Sequence, residues 1–154
     1  MNKFFPALLF GLCSLLFFSG CSLPRLIILK DPLTPEEHVN LGVTYEKQGD
    51  FDNAIREYEF AAKKLPSAYL YLGNAYFQKK DWKRAEKAYQ GAIQKDPNHA
   101  DAFNNLAWLY YTRKENLDEA ERLAQKALDL NPAKEDTYRD TLEKIREIKR
   151  ESGR

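Results

Sequence analysis

Few side chains in this sequence could carry out covalent or metal chemistry. Two cysteines and two histidines occur among 154 residues. Cys13 sits inside an apolar N-terminal run and Cys21 just beyond it, so loss of that run leaves no intramolecular disulfide. His38 and His99 are far apart and have no thiol to join them, so no metal site is expected. Glu119 and Glu121 are expected on a helix exterior, where solvent keeps carboxylates ordinary. There is no glycine-rich phosphate loop, no H-E-x-x-H and no nucleophile elbow. The expectation is therefore a protein that is not an enzyme, with no cofactor and no small-molecule substrate. A net charge of +1 supplies no global basic field for nucleic acid. Binding between proteins is what remains.

Chemistry at Cys21 depends on the segment that presents it. Lys3 precedes an uncharged run, Phe4 to Phe18, and Ser19-Gly20 follow. A positive start, an apolar core of roughly 7–15 residues and small residues before a cut describe a secretory signal. With cysteine next, the stretch resembles the lipobox of bacterial lipoproteins, departing from it at Phe18, where leucine is usual. The resemblance implies a signal peptide at 1–20 and acyl chains on Cys21, which becomes the mature N-terminus. An uncleaved anchor is the competing reading, because Phe4 to Leu23 approaches the roughly 20 residues of a membrane span; a plainly cleaved signal is another. Ser22 after the cysteine, by the same resemblance, implies the outer membrane, facing the periplasm, if the cell has one. Residues 21–33 then form a linker in which Pro24 and Pro32 argue against helix around the apolar Leu26-Ile27-Ile28-Leu29. Packing along the first repeat is favoured over a lipid-facing course.

From Thr34 the chain is organised by repetition. Leu41, Gly42, Tyr45, Ala54, Tyr58, Ala61 and Pro66 recur as Leu72, Gly73, Tyr76, Ala85, Tyr89, Ala92 and Pro97. A third series is Leu106, Ala107, Tyr110, Ala120, Ala124, Ala127 and Pro132. Each holds two helical stripes, and a period near 34 residues marks a stacked helical repeat. Glycine or alanine lets paired helices approach, and tyrosine fills the space beside the contact. Thr34-Pro35-Glu36-Glu37 predicts a capping box, Gly49 a helix stop and Asp50 the next cap. Lys80 stands where a left-handed turn wants glycine. Ala61 to Leu72 is three residues shorter than Ala92 to Leu106, predicting a tight turn before the second repeat. Asn116 and Glu119 are expected as cap and box partner. Ala124 replaces a tyrosine, leaving a volume for Leu123, Leu128 or the last helix to fill. His38 is expected to be solvated at the end of the stack.

This pattern resembles the tetratricopeptide repeat (TPR) over roughly residues 35–132. The resemblance implies an all-α fold, an α-α superhelix of three TPR-like helix pairs (about 35–65, 66–97 and 98–132). A capping helix at 133–154 follows, packing through Tyr138, Leu142, Ile145 and Ile148, with a solvated charged face and with residues 151–154 expected to fray. It also implies a concave partner-binding groove on the first helices, at Val39, Val43 and Glu46, then Leu70, Asn74 and Phe77, then Asn104, Trp108 and Tyr111. Asn74 matches the position where family members hold a ligand's backbone through an amide. Lys47 alone does not make the basic clamp that some members use for a C-terminal carboxylate.

Two functions follow as expectations. One is a membrane-tethered adaptor that recruits a protein or peptide partner in cell-envelope assembly, similar to helpers of pilus, secretin or wall-remodelling systems. The other is a self-associating structural lipoprotein whose groove is filled by another copy or by linker 22–33.

Overall fold

Helix begins where backbone groups first find partners. In the computed structural model, which describes residues 31–152, the Thr34 hydroxyl accepts from the Glu37 amide at 3.2 Å, and Glu37 Oε2 accepts from the Thr34 amide at 2.7 Å. This reciprocal cap opens helix α1, Pro35–Lys47, with proline in its first turn. Gly49, at φ 77°, stops it, and Asp50 caps α2, Phe51–Ala62. Then come α3, Ala68–Gln78, and α4, Trp82–Lys95, capped by Asp81. α5 is Ala100–Arg113 and α6 is Leu117–Leu130. A 3-10 turn at Pro132–Lys134 leads into α7, Glu135–Ser152. The signal, Cys21 and most of the linker lie outside the described residues. No helix among the described residues is long and apolar enough to cross a membrane.

Packing follows the sequence series. Ala54, Ala61, Ala85, Ala107 and Ala120 are fully or almost fully buried, as are Tyr58 and Tyr89. A Cβ on Gly42 would sit 2.7 Å from Tyr58 Cδ1, and one on Gly73 would be 2.5 Å from Tyr89 Cδ1. Each glycine thus admits the tyrosine of its own second helix. Where Ala124 leaves room, Leu123, Leu128, Leu142 and Ile145 share the core.

The curvature can be read from which helices touch. α1, α3, α5 and α7 contact one another in series, whereas α2, α4 and α6 meet only first helices or α7. The first helices therefore form the inner layer, and the second helices splay on the outside. The fold is an all-α superhelix of three helix pairs closed by α7.

Several local expectations are corrected. The connection before α3 has five residues, 63–67, against four, 96–99, before α5. The helix ends are shorter instead, by four residues in all: α2 runs one residue past Ala61 where α4 runs three past Ala92, and α3 begins at Ala68, four before Leu72, where α5 begins six before Leu106. Asn116 makes no side-chain cap; it sits at φ 49°, and Glu119 pairs with Arg122. His38 is not solvated but only 6 % exposed. Its Nδ1 is 2.7 Å from Glu57 and its Nε2 is 3.1 Å from Asp31, with the ring stacked on Phe60. Both ring nitrogens are thus satisfied by carboxylates that come from other elements. Of residues 151–154, expected to fray, Glu151 and Ser152 are still helical, and 153–154 lie outside the described residues.

Candidate functional site

The inner layer carries a chain of polar groups in two unlinked parts, one within the first helix pair and one joining the second pair to the third. Tyr58, from α2, donates to Glu46 Oε2 on α1 at 2.7 Å. Tyr89, from α4, donates to Asn74 Oδ1 on α3 at 3.0 Å. Asn105 Nδ2, on α5, donates to the same oxygen at 2.9 Å. Two outer-helix tyrosines thus reach through the stack and set the orientation of the inner-helix side chains. Burial, with Glu46 nearby, holds both phenols well above the ordinary tyrosine range. Asn74 has spent its acceptor inside the protein, so its amide N–H groups are what it can offer a ligand.

Aromatic side chains flank this chain. Trp108 and Tyr111 lie with ring centroids 4.8 Å apart, and Lys144 of α7 sits 5.2 Å over the Trp108 ring. Phe77 meets Trp82 edge-on at 5.2 Å. Val43, Leu70, Phe77 and Tyr111 are half-buried, each with one side on the core.

Two predicted groove residues are withdrawn from the open face. Val39 is 9 % exposed and belongs to the core of the first pair. Asn104 is 8 % exposed. α7 runs beside α5 from Asp101, which accepts from Tyr138, to Trp108, which meets Lys144. Asn104 falls within that covered stretch, and its Oδ1 has no hydrogen-bond partner among the described residues. Its neighbour Asn105 holds the place in the network instead. Which of two adjacent asparagines faces inward depends on α5's rotation, and the sequence pattern did not resolve that. Lys144 was missed because the sequence pattern treated α7 only as a cap.

A second set of tyrosines braces successive pairs. Tyr76 donates to Glu59 at 2.8 Å, Tyr110 to Glu86 at 2.7 Å and Tyr138 to Asp101 at 2.8 Å. Burial, reinforced by each carboxylate, pushes these three hydroxyls up to about 12. Glu121, expected to be ordinary, is held below the usual carboxylate range by Lys149 first and then Arg146, at 2.6 and 2.7 Å. The charged face of α7 is therefore partly stapled to α6. No cluster of metal-ligating side chains occurs among the described residues.

A family model described as tetratricopeptide repeat matches residues 39–100 and again 72–135, together more than half of the chain. The chain belongs to the tetratricopeptide-repeat family. Human protein O-mannosyl-transferase TMTC2 is 31 % identical over 117 residues, covering 69 % of this chain but only 14 % of that protein. Two solved TPR domains superpose on the chain. One is the first TPR domain of Spaghetti (RPAP3), bound to the HSP90 peptide SRMEEVD; it has a TM-score of 0.69 and 23 % identity, covering 79 % of this chain and 97 % of that one. The other is the TPR2B domain of yeast Sti1 in its pHsp70 complex; it has a TM-score of 0.68 and 20 % identity, covering 74 % and 97 %. At these identities the likeness is one of fold.

Proposed function

We propose that this TPR protein is a membrane-tethered adaptor whose concave face binds an extended or helical segment of a protein partner in the cell envelope. One observation carries the reading. The inner layer holds a preoriented amide, Asn74, between the half-exposed aromatics Phe77 on one helix and Trp108 and Tyr111 on the next. An amide that donates suits a main-chain carbonyl, and large aromatics suit apolar side chains beside it. Peptide occupancy in the TPR domains of RPAP3 and Sti1 supports this use of the fold. No Lys or Arg lies among the groove positions of α1, α3 and α5, so an internal segment is favoured over a free C-terminal carboxylate.

Tethering is proposed from Lys3, the apolar run Phe4 to Phe18 and Cys21. The protein is then exported and held by acyl chains at the membrane, at the outer membrane facing the periplasm in a two-membrane cell. It acts without catalysis or cofactor. The competing reading is self-association through the same groove.

The experiment is photo-crosslinking from position 111 in intact cells, with the trapped protein identified, in wild type and in Phe77→Ala/Trp108→Ala. An adaptor gives a heterologous adduct that the variant loses while remaining monomeric. A homotypic adduct, with a change in particle size, supports self-association and overturns the adaptor. Fatty-acid labelling that persists in Cys21→Ser overturns the anchor.

A further inference from the structure

The turns between the paired helices lie along one edge of the stack, and in two of the three the residue is not what the conformation prefers. The first turn has Gly49 at φ 77°. At the equivalent places in the next two turns stand Lys80 at φ 60° and Lys114 at φ 55°. This left-handed region is cheap for glycine and unfavourable for lysine. A second cation precedes each, Lys79 and Arg113, and Lys83 follows on the first turn of α4. Between the two turns lies a cleft of about 470 Å³ lined by Lys79, Lys80, Asp81, Trp82, Lys83 and Arg113.

The anions here are already engaged. Asp52 pairs with Lys79, Glu115 with Arg113, and Asp81 with Arg84 while capping α4. Lys80, Lys83 and Lys114 are exposed and have no carboxylate within salt-bridge distance among the described residues. The edge therefore presents a row of uncompensated ammonium groups, with a half-buried indole, Trp82, among them. A spread of unpaired lysines matches a plane of phosphates, and tryptophan is favoured where headgroups meet water.

We infer that this edge lies against anionic phospholipid headgroups, through Lys80, Lys83 and Lys114. The inference deepens the tethered reading, on which it rests for bringing the edge to a bilayer. Contact along the turns fixes how the domain stands on the membrane, so the groove on the inner helices has a defined direction.

Lysine acetylation of the full-length chain, read by mass spectrometry, tests this. Vesicles of phosphatidylcholine alone are compared with vesicles containing phosphatidylglycerol as well. Lys80, Lys83 and Lys114 become protected only on the anionic vesicles, while Lys64 and Lys95, at the opposite ends of the helices, react equally on both. Protection is lost at about 1 M salt, where the screening length falls to about 3 Å. In Lys80→Gly/Lys114→Gly, the apparent affinity that protects Lys83 falls about 25-fold, roughly fivefold per lysine, while folding is preserved because glycine suits both turns. Equal labelling on the two vesicle types, or protection of Lys83 undiminished in the variant, overturns the inference. So does protection by soluble inorganic polyphosphate without protection by the vesicles, which reassigns the edge to a free polyanion. Flotation with neutral vesicles reports the tether separately: its failure with the anionic footprint intact refutes the anchor and leaves the edge.

Discussion

The Tyr89 hydroxyl donates to Asn74 Oδ1 across 3.0 Å, joining the outer helix of the middle pair to the amide proposed to hold a ligand. Asn74 is thus a structural brace as well as the proposed ligand contact. Asn74→Ala leaves the buried phenol and Asn105 without their acceptor and costs about 1–3 kcal/mol in urea unfolding. Tyr89→Phe alone costs less, and in the double variant the two losses are smaller than their sum. Strict additivity would show that the bond is not made in solution.

Gly73 admits the Tyr89 ring, as Gly42 admits that of Tyr58. Gly73→Ala drives a methyl group into a fully packed ring and destabilises by about 1–3 kcal/mol despite alanine's better helix propensity. Tyr89→Leu in the same chain recovers part of the loss. The same glycine-to-alanine change at an exposed helical site stabilises, so the sign in thermal melts distinguishes close packing from propensity.

Lys80 and Lys114 hold left-handed turns without glycine's freedom. Lys80→Gly raises stability by about 1 kcal/mol. For a domain of this size that is a shift of a few degrees in Tm, readable by calorimetry. A lower Tm would place the turn in another conformation.

Alkaline stability is set by phenols. Tyr76, Tyr110 and Tyr138 have folded pKa values raised from 10.0 to about 12, by burial and then by Glu59, Glu86 and Asp101. The folded state keeps protons that the unfolded chain releases above pH 10, so stability falls as pH climbs from 10 towards 12. At the acid end the sign reverses. Burial works against ionisation of Asp101, but hydrogen bonds from Lys134 and Tyr138 outweigh it and hold the carboxyl below the ordinary aspartate range. That contribution is present above about pH 4 and fades as pH drops through the folded value. Circular dichroism against pH checks both limbs, and Tyr76→Phe reduces the alkaline slope.

The repeat was legible because its contacts are local and recur. Gly42 meets Tyr58 and Gly73 meets Tyr89 within one helix pair, so type and spacing state the packing directly. His38 was misread because its partners, Glu57 and Asp31, come from a neighbouring helix and from the segment ahead of α1. Nothing in helical periodicity points to either. Local pattern also makes Glu121 an ordinary carboxylate, since its cations belong to α7, whose docking angle no local pattern encodes. Asn104 and Asn105 differ by one position, about 100° of helix rotation, which is finer than a stripe of apolar residues defines.

The way α7 closes the stack also limits how copies of this protein assemble. Its unburied surface carries Arg139, Asp140, Glu143, Glu147 and Arg150, all exposed. Another copy arriving head-on would have to strip water from mixed charges with little apolar area beyond half-buried Ile148 in return. Head-on stacking through α7 is therefore disfavoured.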